Sequence, residues 1–234
     1  MNPDDHPGAR SHPRPANLPV KRRVFLVEDH PITREGFAQL INFQADLQVC
    51  GQAGSAAKAL AGLEASRADL IIVDLSLAES NGLELIKDLK LRFPGLPSLV
   101  LSTYDESLYA ERALRAGARG YVMKQAPTDE VMTAIRRVLA GEIYLSEVMR
   151  TKMVQKQIHG RRPSPTLGVH SLTDRELEVF DLIGRGEPTA RIAAKLHLSV
   201  STVETHRAHI KEKLGLAHAT ELVRHAVEWV NRGS

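Results

Sequence analysis

Four short apolar runs in the first half of the chain each end on a polar group, and the groups are those that phosphoryl chemistry uses. Val24-Phe25-Leu26-Val27 runs into Glu28-Asp29, Leu70-Ile71-Ile72-Val73 into Asp74, Leu99-Val100-Leu101 into Ser102, and Tyr121-Val122-Met123 into Lys124. A phosphoryl group concentrates negative charge, so a carboxylate that accepts one needs cations at close range. Asp29 and Asp74, at neighbouring strand ends, are placed to share a Mg²⁺ through oxygen ligands, with the Ser76 main-chain carbonyl and waters completing an octahedron. Lys124 supplies a mobile positive charge and Ser102 a hydroxyl for a phosphoryl oxygen. Glu28 either ligates through water or raises the local negative potential. Taken singly, each of these is a common loop or turn residue. Their joint arrival at the ends of successive runs carries the reading.

Apolar runs alternating with helix-like segments predict a parallel, doubly wound α/β sheet with its site at the carboxyl edge. Strands are expected at Val24–Val27, Leu47–Cys50, Leu70–Val73, Leu99–Leu101 and Tyr121–Met123, with helices at about 31–43, 55–66, 82–93, 105–116 and 127–140. In the last helix Val131, Ile135 and Val138-Leu139 fall on one stripe. Right-handed crossovers give a flavodoxin-like five-stranded sheet over residues 21–142, whose strand order the pattern does not fix. Residues 1–20, rich in Pro and polar side chains without periodicity, read as a disordered arm. Residues 143–169 read as one more helix (Leu145, Val148, Met149, Met153) and a flexible linker around His159-Gly160-Arg161-Arg162-Pro163.

Composition narrows the class. The 234 residues allow one large domain or two small ones, and a 43% hydrophobic content is enough to build cores. A single cysteine, Cys50, excludes an intrachain disulfide or a cysteine metal cluster and fits a reducing compartment. No apolar stretch approaches the roughly 20 residues that cross a bilayer, and no signal-type segment opens the chain, so a cytoplasmic protein without a membrane partner is expected. The net charge of +3 is small. Its positive surplus sits in the connector (Arg150, Lys152, Lys156, Arg161, Arg162 against Glu147), while residues 171–234 carry basic and acidic groups in equal number. Bulk charge is therefore weak support for nucleic-acid binding.

The last third reads as four short helices forming a small all-α domain over 170–234. Thr173-x-x-Glu176 is a capping-box signature opening the first, with Leu177, Val179-Phe180 and Ile183 on its apolar side. Gly184 and Gly186 end it, and Pro188 starts the next, Ala190–Leu196. His197-Leu198-Ser199 makes a tight turn, with Ser199 or Ser201 as the next cap. The third helix runs about Thr202–Leu214 and stops at Gly215, and the fourth about Thr220–Val230.

The motifs Val24–Asp29 with His30-Pro31, Ile72-Val73-Asp74-Leu75-Ser76, Leu101-Ser102-Thr103 and Gly120-Tyr121-Val122-Met123-Lys124 resemble the receiver domain of a two-component response regulator. The resemblance implies Asp74 as phosphoacceptor, Glu28 and Asp29 as the acidic pair, Ser102 as switch hydroxyl, Tyr121 as aromatic switch residue and Lys124 as the phosphoryl-contacting lysine. It departs from the usual pattern at Glu28, where a first Asp is commoner, and at Leu77-Ala78, where Met-Pro is frequent. Leu172-Thr173-x-Arg175-Glu176-x-Glu178-Val179, Ile192-Ala193-x-x-Leu196 and Leu198–His206, ending Lys213-Leu214-Gly215-Leu216, resemble the LuxR-type helix-turn-helix, so the ordered chain is similar to NarL/FixJ-type regulators. The third helix is then the one that enters the major groove. Val203 and Ile210 face its core, leaving Thr202, Glu204, Thr205, His206, Arg207, Ala208, Lys211 and Lys213 as candidate DNA contacts. Arg207, Lys211 and Lys213 suit phosphates, and Thr205 and Ala208 a thymine methyl. Glu204 is expected to close a capping box with Ser201 in preference to reading a cytosine amino group. Leu222, Val223 and Ala226 are candidate dimer contacts, although core packing explains part of that stripe equally well.

The expectation is a transcriptional regulator: a sensor histidine kinase phosphorylates Asp74, Mg²⁺ is the cofactor, and a homodimer binds promoter DNA, with RNA polymerase as a further partner. The chain would catalyse only its own phosphorylation and dephosphorylation. One alternative is a DNA-binding regulator indifferent to phosphorylation, against which the complete set of acidic pair, Ser102 and Lys124 argues. A Mg²⁺-dependent phosphatase is disfavoured because Ser76 stands where a second acid is wanted. A nucleotide enzyme is disfavoured because no G-x-G-x-x-G or P-loop follows Val24–Val27.

Overall fold

The computed structural model describes residues 20–77, 80–158 and 168–233. The expected N-terminal arm (all but Val20), Ala78-Glu79 and the Gly/Pro/Arg connector lie outside the described residues.

The strands are β1 (Arg22–Val27), β2 (Leu47–Ala53), β3 (Leu70–Val73), a small antiparallel hairpin β4 (Ser76–Leu77) and β5 (Ser80–Asn81), then β6 (Ser98–Ser102) and β7 (Gly120–Met123). Five of them form one parallel sheet in the order β2-β1-β3-β6-β7. The hairpin immediately after Asp74 is an element the sequence pattern did not announce. Alternation along each strand sends successive side chains to opposite faces. Val24, Leu26, Leu70 and Ile72 join one core, and Phe25, Val27, Ile71 and Val73 the other. Helices α1 (Pro31–Asn42) and α5 (Thr128–Leu139) cover the first face, through Ala38, Ile41, Val131 and Ile135. Helices α2 (Ala56–Ser66), α3 (Gly82–Arg92) and α4 (Glu106–Ala116) cover the second, through Ala59, Leu63, Leu89 and Tyr109. The chain direction along the sheet reverses between β1 and β3, and at that switch point the carboxyl ends of neighbouring strands open a crevice. Asp29 and Asp74 emerge there.

Helix α6 (Glu147–Ile158) continues from the first domain: Met149 is buried, and the Ser146 backbone N–H donates to Glu106 Oε1 at the start of α4 (2.8 Å). The second domain holds α7 (Asp174–Gly184), α8 (Thr189–Lys195), α9 (Val200–Leu214) and α10 (Ala219–Gly233), preceded by a 3-10 turn at Val169–Ser171. The capping box at α7 is complete: Thr173 Oγ1 accepts from the Glu176 backbone (3.3 Å) and Glu176 accepts from the Thr173 backbone (2.7 Å). Ser199, not Ser201, caps α9 by accepting from Thr202 N (3.0 Å), and Gly215 ends it at φ 67°, where a side chain would be strained. Helix α10 crosses α7 so closely that a Cβ at Gly184 would come within 2.5 Å of the Ala226 carbonyl oxygen.

Two expectations are corrected here. Leu222 and Ala226 are both 0% exposed and form the α7–α10 core, so they are not free for a dimer contact; of the three candidates only Val223, at 41%, is exposed. A helical stripe records that a partner exists, and here the partner is intramolecular. The two domains are also less independent than their sequence patterns imply, because the apolar core of the second is continuous with one core of the first.

Candidate functional site

The crevice between β1 and β3 gathers Glu28, Asp29, His30 and Asp74 so that one ligand atom from each lies within 4.8 Å of the others. Glu28 and Asp74 are buried. Lys124, at the end of β7, donates to Asp74 Oδ2 (2.9 Å) and pairs with Glu28 Oε2 (2.5 Å). Burial pushes the Asp74 carboxyl above its ordinary range and the Lys124 charge pulls it back, while neighbouring Glu28 adds to the rise. For Lys124 burial disfavours the ammonium, but the attraction of Asp74 and Glu28 outweighs it and the group is held above its ordinary value. Two carboxylates thus share one cation in a low-dielectric pocket. Asp74 Oδ1 is buried with no hydrogen-bond partner, and so is Asp29 Oδ1, whose His30 Nδ1 neighbour at 2.9 Å lacks bonding geometry. A buried orphan oxygen is costly unless something charged meets it. Two of them in one crevice, in a donor set of three carboxylates and the His30 imidazole, fit a hard divalent cation.

Ser102 is fully buried at the end of β6, its Oγ accepting from the Tyr104 backbone N–H (3.2 Å). Tyr121 is also fully buried, its hydroxyl donating to the Tyr104 carbonyl (2.7 Å). Ser102 and Tyr121 therefore converge on one loop residue, Tyr104, whose ring stacks on Tyr109 of α4 with centroids 4.7 Å apart. Sequence reasoning placed Glu28, Asp29, Asp74, Ser102, Tyr121 and Lys124 in one region but missed His30, Arg34 and Tyr104. Arg34 donates to the Glu28 carbonyl (2.6 Å) and so fixes the turn that carries the acidic pair. The adjacent Glu-Asp-His triplet was the available signal for His30. Nothing local marks Arg34 or Tyr104.

The second domain presents α9 with Glu204, Thr205 and Ala208 exposed and Val203 and Ile210 buried, as the pattern required. Glu204 does not close a capping box: with Ser199 as cap it lies beyond the first turn, accepting from Thr189 Oγ1 (3.0 Å) and facing Arg207 (3.6 Å). Lys213 is engaged with Glu176 (2.7 Å), so the cation assigned to a phosphate instead ties the end of α9 to the start of α7. His206 is half-buried, and desolvation, then Arg175, pull it below its ordinary value. Thr202 supplies its backbone N–H to the Ser199 cap, and Lys211 is half-buried in the last turn of α9.

The first domain grips α7. Arg112 of α4 pairs with Asp174 (2.8 Å) and donates to the Leu172 carbonyl (3.0 Å), Lys87 of α3 approaches Asp174 (3.4 Å), and Asn81 donates to Glu178 Oε1 (3.0 Å). Glu178 and Asp181 are each 1% exposed. Burial pushes the Glu178 carboxyl up to about 7 against the pull of Arg175.

Residues 24–136 match the family model described as the response regulator receiver domain, and residues 170–226 that of the bacterial regulatory proteins of the luxR family. The chain belongs to the two-component response regulators that carry a LuxR-type DNA-binding domain. Among its relatives, the transcriptional regulatory protein UhpA of Escherichia coli (strain K12) is 38% identical, over 86% of this chain and 95% of that one. The oxygen regulatory protein NreC of Staphylococcus carnosus (strain TM300) is 34% identical, over 88% of this chain and 97% of its own length. A structure of two RcsB dimers bound to two parallel DNAs matches with a TM-score of 0.52 at 26% identity, over 87% of this chain and 97% of that one. Among the described residues no helix is long and apolar enough to cross a membrane.

Proposed function

We propose that this regulator takes a phosphoryl group on Asp74 and that the resulting charge sets how its helix-turn-helix domain engages promoter DNA. The observation that carries the reading is the pair of orphaned carboxylate oxygens, Asp29 Oδ1 and Asp74 Oδ1, beside a lysine held by Asp74 and Glu28. An Asp74 oxygen attacks phosphorus as the phosphorus–nitrogen bond of a donor phosphohistidine breaks, and an acyl phosphate forms. Lys124 counters the rise that burial imposes on the nucleophile and stays within reach of the transferred oxygens. Ser102 offers its hydroxyl to the same group, and Tyr121 relays a change at Ser102 to the Tyr104 loop. Glu28, Asp29 and Asp74, with the Ser76 carbonyl, would hold Mg²⁺, which supplies charge neutralisation for the phosphoryl oxygens. The chain thus acts on itself and on no metabolite. The DNA is read by α9, chiefly through Thr205, Ala208 and Lys211, by a homodimer in the cytoplasm, with a sensor histidine kinase upstream and RNA polymerase downstream.

Intact mass before and after treatment with a small-molecule phosphodonor and Mg²⁺ tests this. Wild type is expected to gain one phosphoryl group and Asp74→Asn none; equal uptake by both removes Asp74 from the role.

A further inference from the structure

The seam between the two domains encloses a cavity of about 730 Å³, walled by α3, α4, α6, α7 and α10 and lined by none of the phosphoryl-site residues. Its volume lies in the range of small-molecule sites, which gather at domain interfaces and set a few placed polar groups in an apolar lining. The two domains bring unlike chemistry to it. Lys87 and Lys90 stand three residues apart on α3, and Arg112 and Arg115 three apart on α4, so each helix turns two cations toward the cavity. Lys152 of α6 adds a fifth. The second domain supplies an apolar wall, Trp229 of α10 and Leu177 of α7, with Asp174 as its only acid there. Leu91 and Leu108 extend that wall from the receiver side.

Two acids are too few for these five cations. Asp174 is taken by Arg112 (2.8 Å) and Lys87 (3.4 Å), and Glu111 by Arg115. Lys90 and Lys152 have no acidic partner among the described residues. A seam that draws like charges together is unfavourable until an anion joins them. The aromatic side of the cavity is equally well prepared. Trp229 is half-buried and leans on Phe180 of α7, with ring centroids 5.3 Å apart at 57°, so the indole is held in place while it lines the cavity. A fixed indole offers a broad surface on which a second ring stacks.

We infer that this cavity is a binding site for a small aromatic dianion, its ring seated by Trp229 and its two charges met by Lys90 and Lys152. The inference goes beyond the chemistry of Asp74 and does not rest on it. Because both domains supply the wall, an occupant favours the arrangement in which they meet and stabilises it more as its concentration rises. The chain thereby gains a second input, read from a dissolved small molecule.

Trp229 is the only tryptophan of the chain, so its fluorescence reports the site directly in the full-length protein. The probe is 4-nitrobenzylphosphonate, buffered above neutral pH so that the phosphonate is doubly charged. Its nitroaromatic ring quenches indole emission, and its carbon–phosphorus bond cannot pass a phosphoryl group to Asp74. Saturable quenching is expected, with calorimetry returning the same dissociation constant. The separated halves, 4-nitrobenzyl alcohol and methylphosphonate, should each bind at least about tenfold more weakly. Lys90→Ala combined with Lys152→Ala should weaken the whole probe by about tenfold or more, the effect of losing charged contacts. Both lysines are exposed, so the fold does not depend on their charge. Lys58→Ala removes an exposed cation of α2 outside the cavity and should leave binding as it was. The site is overturned if wild type shows no saturable quenching, or if the double variant binds as wild type does. It is overturned equally if either half binds as tightly as the whole, which would leave a patch for any anion or any ring.

Discussion

The Asp74 pocket and the α9 surface handle charge in opposite ways. Around Asp74, buried carboxylates converge on one lysine and leave oxygens without partners; on α9, Glu204 and Arg207 settle each other locally and the exposed face is small and nearly neutral. Desolvated, fixed charge suits group transfer, because the stabilising groups are in place before the reaction begins. Exposed, locally balanced charge suits readout, in which a few placed contacts discriminate and salt screens the rest. One chain therefore holds a site that concentrates charge and a surface that avoids it.

The sharpest way to break that contrast is at Lys124. Lys124→Ala leaves Asp74 and Glu28 without their shared cation, and phosphoryl uptake followed by intact mass should slow by about 10². An unchanged rate would mean the lysine only balances charge. Next in size, Leu222→Ala should lower unfolding stability by ~2–5 kcal/mol in denaturant titration, because Leu222 fills the α7–α10 core. A stable variant that failed only to dimerise would return Leu222 to an interface. On α9 the effects are smaller and differ in kind. Thr205→Ala should change base preference at a cost of ~1–3 kcal/mol per lost contact, while Lys211→Ala should weaken all sites alike and flatten the log–log salt slope by about one. Binding to matched and mismatched sites across a salt series tells the two apart, and the reverse pattern would rotate the helix in the groove.

The last expected effect, spread over several pH units, is a pH dependence of docking. Glu178 is raised to about 7 when docked, against an ordinary value of 4.5, and burial raises Asp181 in the same direction. The docked form therefore holds protons that the undocked form releases. Docking is favoured most below the ordinary value and weakens as pH rises through about 7. Small-angle scattering of the unphosphorylated protein from about pH 5 to about pH 8 should show expansion toward the alkaline end. Compaction with rising pH would reverse the sign.

The sheet and most of its site were legible because a parallel strand buried on both faces writes an uninterrupted apolar run, and the polar residue that ends the run marks the site edge. Asp74 after Leu70–Val73 and Lys124 after Tyr121–Met123 needed no more than that. Arg34, Tyr104 and Asn81 were not legible, since each acts through a backbone group or a partner brought in from another element. The acids of α7 gave a partial signal. Asp174, Glu178 and Asp181 recur on one side of a helix whose apolar residues were already assigned inward, and only the assembled chain shows that this side is buried too. Leu222 and Glu204 failed for a related reason: periodicity and cap spacing state what a residue can do, and packing decides which option is taken.

The tie between Lys213 and Glu176 joins the end of the reading helix to the start of the helix that the receiver holds. The handle and the reading edge of the DNA-binding domain are thus different surfaces of one stiff piece. On the proposed reading of α9, substitutions at Thr205 or Ala208 can drift toward a new operator without disturbing Asp174, Glu178 or Asp181, and the docking surface can be retuned without altering which bases are read. A regulator built this way can be passed from one set of promoters to another while keeping its input, and divergence after gene duplication has two independent dials to turn.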